Sequence, residues 1–240
     1  MNGLKESVVP QHVAFIMDGN GRWAQQRLMP RIVGHQAGME AMRKVIRKSG
    51  SLGIKVVTFY TFSTENWKRS QQEVDFLMRL PIEFIDQDLP EMMANQSKLV
   101  ISGKSEGVPE NTMKAILRGV EATKDNQGLI INLAFNYGGR DEIIRAIQKI
   151  LPDIQSSKVD SKTLDEALFH SYLDQPLIPD PDLIIRTGGE QRLSNFLLWE
   201  SAYAELYFAK EYWPDMNENL LDKILHEYAG RNRRFGGVYS

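Results

Sequence analysis

The sequence predicts an α/β fold, a single domain with a central, mostly parallel sheet of about six strands flanked by helices. Two observations carry this reading. Short β-branched or aromatic runs alternate with stretches of helical periodicity, which is the pattern of βαβ units. Several of those runs are nearly continuous in apolar character, as strands covered on both faces require.

The elements follow in chain order. HVAFIM (12–17) is the first strand, IKVVTFYTF (54–62) the second, KLVISG (98–103) the third and LIINLAFN (129–136) the fourth. DLIIRT (182–187) and the shorter AELYF (204–208) complete the set. Between them, Met39, Met42 and Ile46 fall on one helical face. Ser70 and Glu73 form a capping box for a long helix reaching about Asn95, which Pro81 and Pro90 would kink or divide. Pro109 suits the first turn of a helix ending near Asp125, and Gly138-Gly139 open another running to Leu151. Thr163 and Glu166 repeat the capping box, after a surface connection at 156–162. No internal repeat or low-complexity tract interrupts this, so residues 1–240 read as one domain with a flexible segment at 1–11.

Composition bounds the chemistry. A chain of 240 residues that is 42% hydrophobic can build a sizeable core without disulfides or structural metals. Cysteine is absent, which removes thiolate zinc sites, iron-sulfur clusters and thiol nucleophiles and fits a reducing compartment. The 29 Lys+Arg against 31 Asp+Glu give a net charge of -2, so no global basic bias points to nucleic acid. Neither a signal-peptide core nor an apolar run of spanning length is present, and a cytoplasmic protein is expected.

The first strand runs into Asp18-Gly19-Asn20-Gly21-Arg22-Trp23, a glycine-rich loop at a strand's carboxyl end, where open α/β sheets bind ligands. GNGRWA also fits the degenerate dinucleotide fingerprint G-x-G-x-x-A. In that motif the helix starts inside the glycine run, whereas Pro30 and Gly34 place the main helix here about a dozen residues later. Asp18 would also repel a pyrophosphate unless a divalent cation lay between them, so metal-bridged diphosphate is the better fit. Arginines recur in segments read as strand ends: Arg31 before His35, Arg69 after FSTENWK, Arg186 in IIRTGGE and Arg192 in QRLSN. Their planar forks suit phosphate oxygens, and Ser63 and Ser194 add hydroxyls nearby.

Together MDGNGRW, GHQAG, FSTENW, NYGGRDEI, RTGGE, RLSNFLLW and AYAELYF, spread in order over about 12–237, resemble the signature segments of the cis-prenyltransferases. The resemblance implies repeated addition of isopentenyl diphosphate to farnesyl diphosphate with Mg²⁺, yielding undecaprenyl diphosphate for cell-wall lipid carrier synthesis. It also implies a homodimer, with peripheral contact at the inner face of the membrane for product release. A shorter-chain synthase and a non-catalytic partner subunit are the alternatives. Asp18 and Glu205 are the implied metal ligands, and Gly19, Asn20, Gly21 and Arg22 the cradle of the allylic diphosphate, extended by Arg31, His35 and Arg69. Ser63, Thr64 and Glu65 belong to the same substrate pocket, and Trp23, Phe62 and Trp67 to the isoprenoid surroundings. Arg186, Arg192, Leu193 and Ser194 would grip isopentenyl diphosphate, while Asn66 serves as a positioning or relay group. Gln191 stands where some family members carry a histidine metal ligand, so water is expected there. Arg234, in the carboxyl tail 231–240, would reach the partner's site across the dimer interface. The apolar surplus of segment 71–95 implies the wall of a tunnel for the growing chain.

Overall fold

The computed structural model describes residues 9–231, and all six apolar runs are strands: β1 (His12–Ile16), β2 (Val56–Ser63), β3 (Lys98–Ser102), β4 (Ile130–Tyr137), β5 (Leu183–Arg186) and β6 (Glu205–Phe208). They form one sheet in the order β3-β4-β2-β1-β5-β6, with every pairing parallel. Because β2 and β5 flank β1 on opposite sides, the winding reverses there. That reversal opens a crevice beyond the carboxyl end of β1.

Alternation along β1 divides the core. Val13 and Phe15 join the larger apolar cluster on one face, and Ala14 and Ile16 the smaller cluster on the other. Phe15 stacks on Phe59 with ring centroids 5.2 Å apart, and Trp213 tilts against both rings. Such ring pairs contribute about 0.5–1.5 kcal/mol beyond their buried area.

A chain of buried polar groups crosses four strands. The Ser102 hydroxyl donates to Asn132 Oδ1 (3.1 Å), and Asn132 Nδ2 donates to Thr58 Oγ1 (3.3 Å). His12 continues it, with Nε2 2.7 Å from Thr58 Oγ1 and Nδ1 2.6 Å from the Pro179 carbonyl. A carbonyl only accepts, so Nδ1 carries the hydrogen and the Thr58 hydroxyl donates to Nε2.

The helices are α1 (Asn20–Gln26), α2 (Arg31–Ser51), α3 (Gln71–Ala94), α4 (Glu110–Thr123), α5 (Gly139–Gln155), α6 (Glu166–His170) and α7 (Glu218–Ala229). Several differ from the sequence expectation. A helix does begin inside the glycine run: α1 starts at Asn20 behind Gly19, whose φ of 102° lets the chain turn sharply. It lasts seven residues before Pro30 enforces the break ahead of α2. Neither Pro81 nor Pro90 divides α3. Near Pro81 the Met78 carbonyl also accepts the Thr112 hydroxyl at 2.8 Å, which ties this part of α3 to α4. Ser70 caps α3, but Glu73 completes no box, because its carboxylate is used elsewhere. Asp165, not Thr163, caps α6 through Leu168 N–H. The sequence reading passed over α7, although Leu221, Ile224, Leu225 and Tyr228 lie buried at helical spacing behind the Asn217 cap.

Burial lowers the pKa of His12 from 6.5 to about 4, partly offset by the Pro179 bond and the charge of Asp182. The unfolded chain therefore takes up this proton first, and stability falls as pH drops from 6.5 toward 4. Urea midpoints across that window should fall in the native chain, and His12→Gln should remove that part of the slope. A ring titration by NMR with its midpoint at the ordinary value would refute the assignment.

Candidate active site

The carboxyl ends of β1 and β5 are joined by an ion pair. Asp18, just beyond β1, accepts from Arg186 Nη2 at 2.8 Å through Oδ2, and Oδ1 lies 3.1 Å from Arg22 Nη2 in α1. Its backbone is locked too, since the Thr187 hydroxyl donates to the Asp18 carbonyl (2.8 Å) and Trp213 N–H donates to the same oxygen (3.0 Å). Burial pushes the Asp18 carboxyl up, but the hydrogen bond and charge of Arg186, then Arg22, outweigh it and hold the pKa below its ordinary value. Asp18 is thus an ionised, partly exposed oxygen donor. Arg186 is only 4% exposed and also donates through Nη1 to the Ser194 hydroxyl and the Arg192 carbonyl. Glu190 receives Arg22 at 3.3 Å on one oxygen and Arg192 at 2.6 Å on the other.

A second set gathers around Glu73 in the first turn of α3. Arg69 (2.8 Å), His35 Nε2 (3.2 Å) and Arg31 (3.3 Å) all reach its carboxylate. Burial raises the Glu73 pKa, but the Arg31 hydrogen bond and the Arg69 and Arg31 charges bring it below its usual value. Burial lowers the His35 pKa, and Glu73 recovers only part of the drop. Arg31 opens α2 and so does not sit at a strand end as its sequence position implied.

The two sets meet across α1. A side chain at Gly21 would place its Cβ 2.6 Å from the Arg31 guanidinium, so glycine lets that fork lie against the first turn of α1. The N–H groups of Asn20, Gly21 and Arg22 have no carbonyl one turn back to bond to.

The family model described as "Putative undecaprenyl diphosphate synthase" matches residues 16–236. The chain belongs to this family. Relatives named isoprenyl transferase agree: that of Bacillus cereus is 46% identical over 98% of this chain and 91% of the relative, and that of Streptococcus pneumoniae 50% identical over 96% and 93%. Among solved structures, lavandulyl diphosphate synthase from Lavandula x intermedia, in complex with dimethylallyl diphosphate, superposes with a TM-score of 0.94. It is 36% identical, and the match covers 97% of this chain and all of that one. A "probable undecaprenyl diphosphate synthase" from Campylobacter jejuni gives 0.79 at 33% identity, covering 95% and 99%. The chain is a cis-prenyltransferase.

In this prenyltransferase the FSTENW segment forms a 3₁₀ turn, Thr64–Lys68, closed by a capping box in which Ser63 N–H donates to Asn66 Oδ1 at 3.1 Å. Glu65 accepts from Asn195 Nδ2 at 3.0 Å. Leu193 packs with the smaller core cluster, and Gln191 is exposed. Glu205 stands apart. It pairs in register with Leu183, three residues before the level of Arg186, which puts it about 10 Å back along the sheet. There it bonds Arg231 at 2.8 Å. The predicted metal pair is therefore not assembled within one chain. Arg234 lies outside the described residues.

An apolar cavity of about 60 Å³ lies beside the Asn20 and His35 side chains, between α2 and α3. Met39, Met42, Leu80, Phe84, Phe135 and Trp213 are among its walls. None of the three predicted aromatics lines it. Trp23 turns outward, with Nε1 2.7 Å from Asp215 and the Arg27 guanidinium over its ring. Phe62 is in the core, and Trp67 packs edge-on against it while donating to Asn136 Oδ1 at 2.8 Å.

Sequence reasoning missed Glu73, Glu190 and Asn195. Carboxylates are not sought in an anion site, although Glu73 at four residues from Arg69 on a helix start offered a signal. Gly21→Ala provides a test of the geometry. The flexible Arg31 fork must swing away while the helix is unharmed, so the melting temperature should hold and inorganic pyrophosphate affinity should fall about tenfold, as for one charged hydrogen bond. Calorimetric titration showing unchanged affinity would remove Arg31 from the pocket.

Proposed function

We propose that the chain adds isopentenyl diphosphate repeatedly to farnesyl diphosphate, up to undecaprenyl diphosphate, forming a cis double bond and releasing diphosphate at each step. The observation that carries this is the convergence of two cationic sets on either side of α1, over an apolar cavity between α2 and α3. Two diphosphates need two such sets, and an isoprenoid tail needs the apolar space. The lavandulyl diphosphate synthase bound to dimethylallyl diphosphate supports an allylic pocket on this fold.

In this reading Arg31, His35, Arg69 and the backbone of Gly19–Arg22 hold the allylic diphosphate, with Ser63, Thr64 and Glu65 at its rim. Arg186, Arg192, Leu193 and Ser194 hold isopentenyl diphosphate. The allylic carbon-oxygen bond breaks with its electron pair leaving on diphosphate, and guanidinium groups already in place stabilise that charge. The terminal alkene carbon of isopentenyl diphosphate attacks the allylic carbon, and the adjacent methylene loses a proton to make the new double bond. Asn66 is a positioning group, because its amide oxygen already accepts Ser63 N–H and an amide is a weak base. The departing diphosphate takes the proton. Asp18 is the residue that would hold Mg²⁺: one ionised carboxylate plus substrate phosphate oxygens is a donor set that magnesium favours. Bound there, the ion would neutralise charge on the diphosphate. Glu205 is not placed to share it within one chain.

A homodimer fits the outer face of α5, where Ile144, Ile147 and Leu151 are exposed at helical spacing. No helix among the described residues is long and apolar enough to cross a membrane. A cytoplasmic enzyme touching the inner membrane face would release so apolar a product directly into lipid. The shorter-chain reading also has one observation in its favour. A larger hollow of about 520 Å³ lies farther down between α2 and α3, and Phe84 lines both it and the small cavity. A long product requires Phe84 to give way.

Incubation with Mg²⁺, farnesyl diphosphate and labelled isopentenyl diphosphate, with products read by mass, decides among these: long chains are expected. A single addition would sink the long-chain assignment, and no addition the enzymatic one. Asp18→Asn should lower turnover at least about 10²-fold, and it suits the test better than alanine because Arg186 keeps a hydrogen-bond acceptor. An unchanged rate would free Asp18 from the mechanism. Met92→Phe, filling the larger hollow, should shorten products while the first condensation keeps its rate. Full-length products from that variant would place the tunnel elsewhere.

A further inference from the structure

The loop after β5 carries an unusual density of strain. Ser194 (φ 51°), Asn195 (φ 66°) and Leu197 (φ 44°) are all left-handed, three non-glycine residues within four positions. Asparagine tolerates that conformation better than most residues, but serine and leucine do not, so the surroundings must hold the loop. Asn195 supplies most of the holding. Its carbonyl accepts Gly139 N–H at 2.7 Å, its Oδ1 accepts Arg140 N–H at 2.9 Å, and its Nδ2 donates to Glu65 Oε1 at 3.0 Å. The side chain is seated on Gly138, where a Cβ would come within 2.7 Å of Nδ2 and 2.8 Å of Thr64 Oγ1. Tyr60 adds a weaker tie, its hydroxyl donating to the Ser194 carbonyl at 3.3 Å.

These contacts join three separate pieces of chain: the 3₁₀ turn holding Thr64 and Glu65, the start of α5, and the loop whose Ser194 hydroxyl accepts from Arg186 at 2.7 Å. We propose that Asn195 is a positioning residue that locks the strained Ser194 loop to the Thr64–Lys68 turn, fixing the separation of the two diphosphate pockets. This rests on the reaction proposed above. Attack of one substrate on the other succeeds only within a narrow range of distance, and a loop free to relax from its left-handed turns would carry Ser194 away from Arg186. Burial raises the Glu65 pKa, but the Asn195 hydrogen bond, followed by contacts within its own turn, brings it below the usual value, so the link joins an amide donor to a carboxylate.

Donor and acceptor can be exchanged, which gives the test. Asn195→Asp sets a second carboxylate against Glu65 and should raise KM for isopentenyl diphosphate at least about tenfold, with a fall in kcat. In a Glu65→Gln background the same change lets the new amide donate to the new carboxylate, restoring the link with its polarity reversed. The effect of Asn195→Asp relative to Glu65→Gln alone should then shrink to less than about threefold. Asn195→Gly keeps the left-handed backbone without the amide. It should fold with a modestly lowered melting temperature, because two side-chain hydrogen bonds are lost, while raising the same KM. Equal effects of Asn195→Asp in both backgrounds, or native kinetics for a folded Asn195→Gly, would overturn the proposal. Failure of the native chain to condense the two substrates, seen before any variant is compared, would instead overturn the reaction on which it rests.

Discussion

The ion pair between Asp18 and Arg186 ties together two strand ends that are 168 residues apart in the chain and adjacent in the sheet. Its placement follows from the parallel register, in which Ile16 faces Arg186 and leaves Asp18 two residues beyond the strand. From that one contact the rest of the pocket is organised. Asp18 turns Arg22 inward from α1, while Arg186 gathers the Arg192 carbonyl and the Ser194 hydroxyl. A guanidinium this deeply buried would be severely destabilising without its carboxylate, so the pair is required by the fold as well as suited to the chemistry.

Carboxylates recur throughout what is otherwise a site for anions. Glu73 joins Arg31, His35 and Arg69, and Glu190 joins Arg22 and Arg192. Several like charges cannot be held close together without counter-charges, and each carboxylate fixes two guanidinium forks with a single negative charge. Positive charge remains in excess in both sets, which leaves them attractive to a diphosphate. Preorganisation of this kind spares the enzyme the reorientation that water would have to undergo around a departing anion.

The apolar part of the site depends on how α2 and α3 are held. Arg43 grips Asp88 with Nε at 2.8 and 2.9 Å from its two oxygens, and Arg47 pairs with Glu91 through two bonds of 2.7 Å. These bridges lie at the far hollow, whereas the near cavity is closed by Leu80, Phe84 and the methionines. Polar braces therefore fix the helices at one end, and adaptable side chains fill the space at the other, where a growing tail would need room.

Sequence by itself determined the strands, the burial of the central ones and the motif residues. Near-continuous apolar runs are a local property, and parallel strands covered on both faces leave few other placements for them. It also supplied Asp18, Arg186 and Ser194 as neighbours in chemistry, through motifs whose order matched a family. Tertiary structure decided what pairs with what. Glu73 looks like half of a capping box until α2 is packed beside it, and Asn195 looks like a loop residue until Gly138 and Glu65 are brought against it. Glu205 was assigned to the metal by its motif, but parallel register sets it three residues behind Arg186, a fact no single strand contains. Motifs record which side chains the chemistry uses. Distances between side chains far apart in sequence arise only when register and helix packing close the chain, which is why the clasps between motifs were invisible beforehand.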